Sequence, residues 1–348
     1  TYADTSNNNE LAEIIPSTTW IAPPDDDTSL YPDGPMKGMC ALPGGVFAGF
    51  TGKRICFSEA FLPHAWPVDY RLTLEEEIVA IKVVSNGVLA TTKGVPYLIT
   101  GSDPSTMTAI RIESAQPNLN KRSMVDMGQF VIYASPDGLI AAAGTTVRNL
   151  TEQIITPSQW QATYYPATIT GFMWEERYVG FYSTGSGYGG FIFDPRAENG
   201  TSFVDLDASG LIRGGHTDPD DSQLYLIISN TIKKFQGSNT NLTYNWKSKE
   251  FVPPKPTSFG FAKIDAETYP VRIKVYGDGS VIYNAVIASS GSAFTVTGTT
   301  PSFSATAITE PMVRLPANVH KTFAIEVEGA TIVNEICIGE SIGELREV

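Results

Sequence analysis

The feature that most constrains the fold of this chain is a β-hairpin pattern that recurs five times at nearly constant spacing. Each copy has two short apolar, β-branched runs separated by a tight turn. The turn residues Gly52, Gly94, Gly138, Gly185 and Asn230 lie 42, 44, 47 and 45 residues apart. The hairpins are Val46–Ser58, Val88–Thr100, Gln129–Ala143, Tyr178–Phe193 and Gln223–Phe235. A period of about 40–50 residues built from short strands is typical of β-propeller blades with about four strands each.

The segments that flank each hairpin supply the outer strands of each blade. In the second copy, one strand is predicted over Glu77–Val84 and another over Thr108–Glu113. The fifth copy is predicted to open near Leu211 and to close with Leu242–Trp246. The sequence therefore predicts an all-β protein with a propeller-like domain of about five four-stranded blades. No helix is predicted.

The propeller-like region occupies only part of the 348 residues. Residues 1–37 are polar and rich in proline, and we interpret them as an extended lead-in from a preceding domain in a truncated chain. Residues 38–252 carry the repeats. The proline-rich linker Val252–Pro256 then interrupts the rhythm, so residues 253–348 are predicted to form a separate, small β-sandwich-like domain.

In this last domain, Pro270–Ala288 and Lys321–Gly339 are each predicted to be a pair of strands joined by a tight turn. Alternation along the second segment places Phe323, Ile325 and Val327 on a core. It leaves Glu326 and Glu328 on the outside.

Composition narrows the classes of function. The net charge of −13 disfavours tight binding along a nucleic-acid backbone. No apolar run approaches the roughly 20 residues of a membrane helix, so a soluble chain is expected. The three cysteines are an odd number without C-x-x-C spacing, which favours buried free thiols and folding in a reducing cytosol. A bridge between Cys40 and Cys56 stays open as an alternative.

The candidates for chemistry are weak. The acidic segments Asp218–Gln223 and Pro24–Asp27 are interpreted as solvated turns rather than calcium sites. Neighbouring carboxylates in Glu75–Glu77 and Glu175–Glu176 would point to opposite faces of a strand, which makes them poor acid–base pairs. The three histidines lie far apart in sequence and are interpreted as surface or packing residues: His64, His216 and His320.

Aromatic residues near the fourth blade could stack on sugars or bases, but packing is the favoured interpretation. They are Trp160, Tyr164, Tyr165 and Trp174. No catalytic, cofactor-binding or metal-binding residue is predicted.

The segments between the hairpins are more distinctive than the hairpins themselves. They are FSEAFLPHAWP (Phe57–Pro67), YLITGSDPSTM (Tyr97–Met107), Gln116–Ile140, GGFIFDPR (Gly189–Arg196), VRLPAN (Val313–Asn318) and Phe323–Leu345. Together they resemble the tail nozzle, also called tail tubular protein B or tail hub, of short-tailed bacteriophages. The resemblance extends from about Leu11 over most of the chain.

The resemblance implies a structural virion protein without enzymatic activity or cofactor. Such a subunit forms a homo-oligomeric ring, expected to be a hexamer, below the portal and adaptor proteins and in contact with tail fibres. Double-stranded DNA passes through its channel at ejection without specific binding, and the tail end contacts the host surface. Assembly takes place in the host bacterial cytoplasm, and the mature protein resides in the virion tail.

Two other functions stay open at this point. One is a receptor- or glycan-binding propeller at the virion tip, because the loops at one end of a propeller offer concave sites. Trp160 and Tyr165 are its candidate contacts. The other is a propeller hydrolase acting on bacterial surface polysaccharide.

Overall fold

A computed structural model describes residues 21–24, 29, 32–85, 87–197, 203–287 and 312–346. The chain divides into two compact units, of which the first ends at Gly237 and the second begins at Ser238. Antiparallel strands dominate both units. None of the described helices has the length and apolar character needed to cross a membrane.

The described residues of the first unit form five successive antiparallel sheets, called blades 1 to 5 below. In each blade, strands adjacent in sequence are adjacent in the sheet. Blade 1 contains β1 (Gly38–Ala41), β2 (Phe47–Thr51), β3 (Arg54–Phe57) and β4 (Arg71–Thr73); blade 2 contains β5 (Ile78–Val84), β6 (Gly87–Thr92), β7 (Tyr97–Thr100) and β8 (Thr108–Arg111); blade 3 contains β9 (Val125–Asp126), β10 (Val131–Ser135), β11 (Gly138–Ala143) and β12 (Thr146–Asn149). Blade 4 contains β13 (Thr170–Trp174), β14 (Arg177–Ser183), β15 (Tyr188–Phe193) and β16 (Phe203–Asp207); blade 5 contains β17 (Ile212–Thr217), β18 (Leu224–Ile228) and β19 (Thr231–Lys234).

All five predicted hairpins are present. They are the pairs β2–β3, β6–β7, β10–β11, β14–β15 and β18–β19. The third turn shows why glycine is needed at its marker position. Gly138 has a φ of +148°, and a Cβ atom there would lie 2.2 Å from the Thr151 hydroxyl.

The first strands of the blades lie on the inside of the arrangement, as in a propeller. β1 packs against β5, β9 against β13, and β13 against β17. Sequential four-stranded sheets whose first strands meet define a propeller-like domain. The predicted fold class, all-β with a propeller-like domain, is confirmed.

Four apolar cores join the five blades in order. Each core takes side chains from two neighbouring blades. Blade 3 shows the reason, because alternate residues of a strand point to opposite faces. Val131 and Tyr133 of β10 pack toward blade 2, whereas Ile132 and Ala134 pack toward blade 4.

Blade 5 is buried on one face. Leu224 and Leu226 of β18 pack against blade 4. The opposite face exposes Ile227 and Ile232, and Ile232 is 71% accessible. An antiparallel sheet can leave one of its two faces outside the apolar core in this way.

A helix, α1 (Pro157–Tyr164), contradicts the prediction that the chain has none. Thr156 caps it, and Thr156 and Gln159 form a reciprocal capping box. The sequence T-P-S-Q carries this signal, a threonine followed by proline and then by glutamine three residues on. Trp160 and Tyr164 anchor the helix in the core between blades 3 and 4.

The prediction for the closing strand of blade 5 is also wrong. β20 (Tyr244–Lys247) covers most of Leu242–Trp246, but it pairs with a strand of the second unit. Blade 5 therefore has three strands in the described residues, and the first unit ends at Gly237 rather than at residue 252. Backbone hydrogen bonding, which no local pattern encodes, decides which sheet takes this strand.

The described residues of the second unit form a sandwich of two sheets around one apolar core. One sheet has the order β20, β25 (Phe323–Gly329), β22 (Val271–Gly277), β23 (Ser280–Ile287). The other has the order β24 (Met312–Arg314), β21 (Phe261–Ala266), β26 (Val333–Gly339), and the short helix α2 (Ile342–Arg346) follows.

The two long segments of this unit behave differently. β22 and β23 form the predicted hairpin. β25 and β26 do not pair with each other, contrary to the prediction, because β25 pairs with β22 while β26 pairs with β21 in the opposite sheet. The turn after Gly329 thus carries the chain from one layer of the sandwich to the other.

The lead-in lies partly outside the described residues. Its described positions contain no strand or helix, as predicted, but they are held against blade 1. Trp66 N donates to Ile21 O at 2.8 Å, and the Thr51 hydroxyl donates to Gly34 O at 2.7 Å. Asp33 forms an ion pair with Arg54 at 3.2 Å.

Candidate functional site

A cleft of about 690 Å³ lies at the ends of the inner strands of blades 1 and 2. We call it the axial cleft. Residues from the lead-in, from blades 1 and 2 and from the segment that leads into blade 3 line it. They are Met36, Lys37, Phe50, Glu77, Ile78, Val79, Lys93 and the run 117–121.

Three lysines and one glutamate give the axial cleft its charge. Glu77 Oε1 accepts from Lys37 Nζ at 3.3 Å, and Glu77 Oε2 accepts from Lys93 Nζ at 2.5 Å. Hydrogen bonds from Lys93, and to a smaller extent from Lys37, hold the pKa of the Glu77 carboxyl below its usual range. Lys121 Nζ donates to the Lys37 carbonyl at 3.2 Å. The cleft is therefore locally positive on a chain whose net charge is −13.

A β-bulge shapes the wall of the cleft. The register between β5 and β6 shifts between Ile78 and Ala80, so that Val79 is the extra residue. Bulges bend a strand and redirect its side chains, and they are frequent beside binding sites. Here the extra residue, Val79, lines the cleft together with Ile78.

A buried hydrogen-bond network centred on Asn118 fixes the opposite wall. Asn118 Nδ2 donates to the Thr91 hydroxyl at 2.9 Å, and its Oδ1 accepts from Ser123 Oγ at 3.2 Å and from Asn120 N at 3.0 Å. Ser123 Oγ also accepts from Ala134 N at 3.1 Å. A satisfied polar network of this kind is rigid.

The same segment reaches blade 4. Asn120 Nδ2 donates to Ile169 O at 3.0 Å, and the Tyr178 hydroxyl donates to Ser123 O at 2.9 Å. Burial raises the pKa of Tyr178. The segment Gln116–Ser123 therefore ties blades 2, 3 and 4 together and at the same time places Lys121 on the rim of the axial cleft.

The carboxylates considered from the sequence have two different environments. Glu77 joins the axial cleft. Glu175 and Glu176 lie in the turn between β13 and β14, both with positive φ, and not on a strand as predicted. They form ion pairs with Arg177 and Arg196. This turn is a surface ion-pair network rather than an acid–base pair.

The packing interpretation of the aromatic residues is confirmed for three of the four. Trp160, Tyr164 and Trp174 are buried. Trp160 Nε1 donates to Ser135 O at 2.9 Å, so its one polar atom is already bonded inside the core. Tyr165, 40% accessible, is the exception.

The acidic segment Asp218–Gln223 is a solvated turn, as predicted. Asp218 Oδ1 accepts from Asp220 N at 2.9 Å, and Asp221 Oδ1 accepts from Gln223 N at 2.9 Å. Across the described residues, no group of three or more His, Cys, Asp or Glu side chains is arranged to hold a metal ion. The residues Asp25–Asp27 lie outside the described part of the chain.

The cysteines are free, and the possible Cys40–Cys56 bridge does not form. Cys40 is paired with Ala48, and Cys56 with the next residue of β2, Gly49. The two side chains therefore lie on opposite faces of blade 1, on strands separated by β2. Burial raises the pKa of each of these thiols to about 11.

His320 has a structural role in the second unit. His320 Nδ1 lies 3.1 Å from Asp278 Oδ2, and the His320 ring packs edge-on against Phe323. This pair fastens the turn between β22 and β23 and agrees with the packing interpretation.

The sequence signals for the axial cleft were incomplete. Glu77 stood out only as part of an acidic run, and the three lysines are widely separated, at positions 37, 93 and 121. Isolated surface lysines carry no pattern. Only the convergence of the inner strands shows that they share one cleft.

No protein-family model and no curated protein matches this chain. Several solved structures are similar to it. The WD40 domain of coronin from Toxoplasma gondii is 9% identical, with a TM-score of 0.39, and the match covers 87% of this chain and 72% of that one. PorZ, a surface component of the type-IX secretion system of Porphyromonas gingivalis, is 13% identical, with a TM-score of 0.37 and coverages of 74% and 40%.

A glycoside hydrolase family 43 arabinoxylan arabinofuranohydrolase from Bacillus subtilis is 9% identical, with a TM-score of 0.26 and coverages of 87% and 78%. The match with PorZ, by contrast, spans less than half the length of PorZ. The similar structures include enzymes and other proteins, and at this level of similarity none of them assigns an activity to this chain. The propeller-like fold rests on the arrangement of the sheets themselves.

Proposed function

We propose that this protein is a structural subunit of a bacteriophage tail, a ring-forming nozzle or hub below the portal and adaptor proteins. In this role the subunits form a homo-oligomeric, hexameric ring that resides in the virion tail. The ring conducts double-stranded DNA outward at ejection. The protein carries out no catalytic turnover.

One observation carries the proposal: segments that resemble the tail nozzle family lie where they hold blades together. Gln116–Ile140 contains the Asn118 network, which joins three blades. In Phe57–Pro67, Phe57 is fully buried in the apolar core that blades 1 and 2 share. A resemblance concentrated in architectural residues supports a shared scaffold more than a shared reaction.

The charge of the chain supports the proposed passage of DNA. A surface with net charge −13 repels phosphate, and phosphate attraction dominates the affinity of proteins for DNA. A channel built from such subunits lets DNA move without specific binding.

The test is to locate the protein in virions. Particles purified from the phage that encodes the chain are labelled with gold-tagged antibody against the second unit and imaged by negative-stain microscopy. Label at the head–tail junction or along the tail supports the proposal. Absence from virions, verified by mass spectrometry with the major capsid protein as the internal control, overturns it.

A further inference from the structure

We propose that the axial cleft binds a small organic dianion of the dicarboxylate class. The inference is independent of the proposed structural role, because it rests on the charges and lining of the cleft alone. Its first basis is size, since about 690 Å³ lies within the range of small-molecule sites, roughly 300–1,000 Å³.

The second basis is charge. Three lysine ammonium groups and one carboxylate leave a local surplus of two positive charges. Lys121 forms no ion pair with a carboxylate within the part of the chain that the structure describes, and its only described bond is to the Lys37 carbonyl. A dianion balances this surplus, and a cleft with low-dielectric walls strengthens the attraction.

The third basis is the wall. Met36, Val79 and Leu119 add apolar surface beside the lysines. An inorganic anion cannot use this surface, whereas the carbon skeleton of an organic acid can bury against it. The combination of paired positive charge and apolar wall favours a dicarboxylate over phosphate.

The geometry also gives Glu77 a role. Its carboxylate already forms ion pairs with Lys37 and Lys93, so it competes with an anionic ligand for these two ammonium groups. Removing its charge is therefore expected to strengthen binding. A merely structural glutamate would not have this effect on affinity.

The rigid surroundings support a preformed site. Backbone hydrogen bonds also hold the chain at Asn118 and Leu119, since Asn118 N donates to Thr92 O at 3.0 Å and Leu119 N donates to Ala134 O at 3.1 Å. A preformed site avoids the cost of ordering its walls when the ligand binds.

The test is calorimetric titration of the purified protein with glutarate at low ionic strength, where surface charges are least screened. Saturable one-to-one binding is expected, and inorganic phosphate should bind several-fold more weakly. Lys121→Gln should weaken glutarate binding by about fivefold or more, as the loss of one nearby unit charge predicts. Glu77→Gln should strengthen it by a similar factor.

The matched control is Lys233→Gln, which removes the same charge from an exposed lysine of β19 in the same unit. It should leave the affinity unchanged. Circular dichroism checks that each variant is folded. If Glu77→Gln does not fold, Lys121→Gln still tests the proposal, because Lys121 is exposed.

Three outcomes overturn the proposal. The first is titration without saturation, and the second is an equal loss in Lys121→Gln and Lys233→Gln, which would show general surface attraction. The third is phosphate binding as tight as glutarate, which would remove the organic-acid assignment. Weaker binding by folded Glu77→Gln would refute the role of Glu77 as a competing anion.

Discussion

Strands β10 and β25 are buried to a similar extent by different interactions. All five residues of β10 are buried, and its two faces contribute side chains to two different apolar cores. β25 places Phe323, Ile325 and Val327 on an apolar core. Its other face carries Glu326, which is only 8% accessible, contrary to the prediction that it lies outside.

Glu326 is covered by polar partners from two neighbouring strands. Its Oε1 accepts from Lys274 Nζ at 2.6 Å and Asn245 Nδ2 at 3.0 Å, and its Oε2 accepts from the Tyr276 hydroxyl at 2.5 Å. Lys247 Nζ lies 3.8 Å from the centre of the Tyr276 ring. Long side chains thus cover the face of this sheet that lies away from the apolar core.

The comparison shows that burial in a sheet does not fix the kind of stabilisation. Dispersion and apolar transfer stabilise β10, and neither depends on pH. Hydrogen bonds and charge stabilise the outer face of β25, and both depend on the protonation of one carboxyl.

The largest expected effect is at the doubly packed strand. Ile132→Ala should lower the free energy of unfolding of the propeller-like unit by about 2–5 kcal/mol, because it leaves a cavity in a fully buried site. The measurement is urea unfolding followed by circular dichroism. The loss should be the same at pH 4 and pH 7, to within about 0.5 kcal/mol.

Ile227→Ala is the matched control for this substitution. Ile227 occupies the exposed face of blade 5, so the same change should cost about 1 kcal/mol or less. Equal losses at the two positions would show that blade 5 is packed on both faces in solution, and burial of Ile132 would no longer explain the cost of its substitution.

The next effect concerns Glu326. Hydrogen bonds from Lys274 and Tyr276 lower the pKa of Glu326 to about 2, from an ordinary value of 4.5. Because the folded pKa lies below the unfolded one, its contribution is fully present above about pH 4.5 and is lost as the pH falls toward 2. Glu326→Gln should cost about 1.5–3 kcal/mol at neutral pH and less at low pH.

Glu328→Gln provides the control on the same strand. Glu328 is paired with Arg272 at 3.3 Å, but both side chains are 40% accessible, so the loss should stay below about 1 kcal/mol. Thermal unfolding between pH 2 and pH 7 distinguishes the two variants. If Glu326→Gln keeps the acid dependence of the unaltered protein, Glu326 is not its source.

The smallest effect concerns the helix that packs beside β10. Thr156→Ala removes the N-cap of α1 and should cost about 1 kcal/mol. Thr156→Ser retains a capping hydroxyl and should restore most of the loss. Equal losses in both variants would mean that packing of Trp160, rather than the cap, holds the helix in place.

Much of the fold could be predicted because its signals are local. The five hairpins follow from alternating apolar runs and turn residues, and each lies within about 15 consecutive residues. The helix α1 was also encoded locally, by Thr156 and Gln159, but the surrounding β pattern obscured it.

The candidate site could not be predicted in the same way. Lys37 directly precedes blade 1, Lys93 lies in a turn of blade 2, and Lys121 lies in the segment that leads into blade 3. Their proximity depends on how the blades pack, which is a property of distant contacts. Glu77 could be identified as a carboxylate, but its two lysine partners could not.

The sequence by itself determined the number of blades and the hairpin that each blade contains. The spacing of the hairpins and the two faces of each strand follow from the order of residues that are neighbours in sequence. The tertiary structure alone decided that β20 joins the second unit, that β25 and β26 occupy opposite layers and that Glu326 is buried. These outcomes depend on which distant backbones and side chains meet, and the free energy of those contacts exists only in the folded chain.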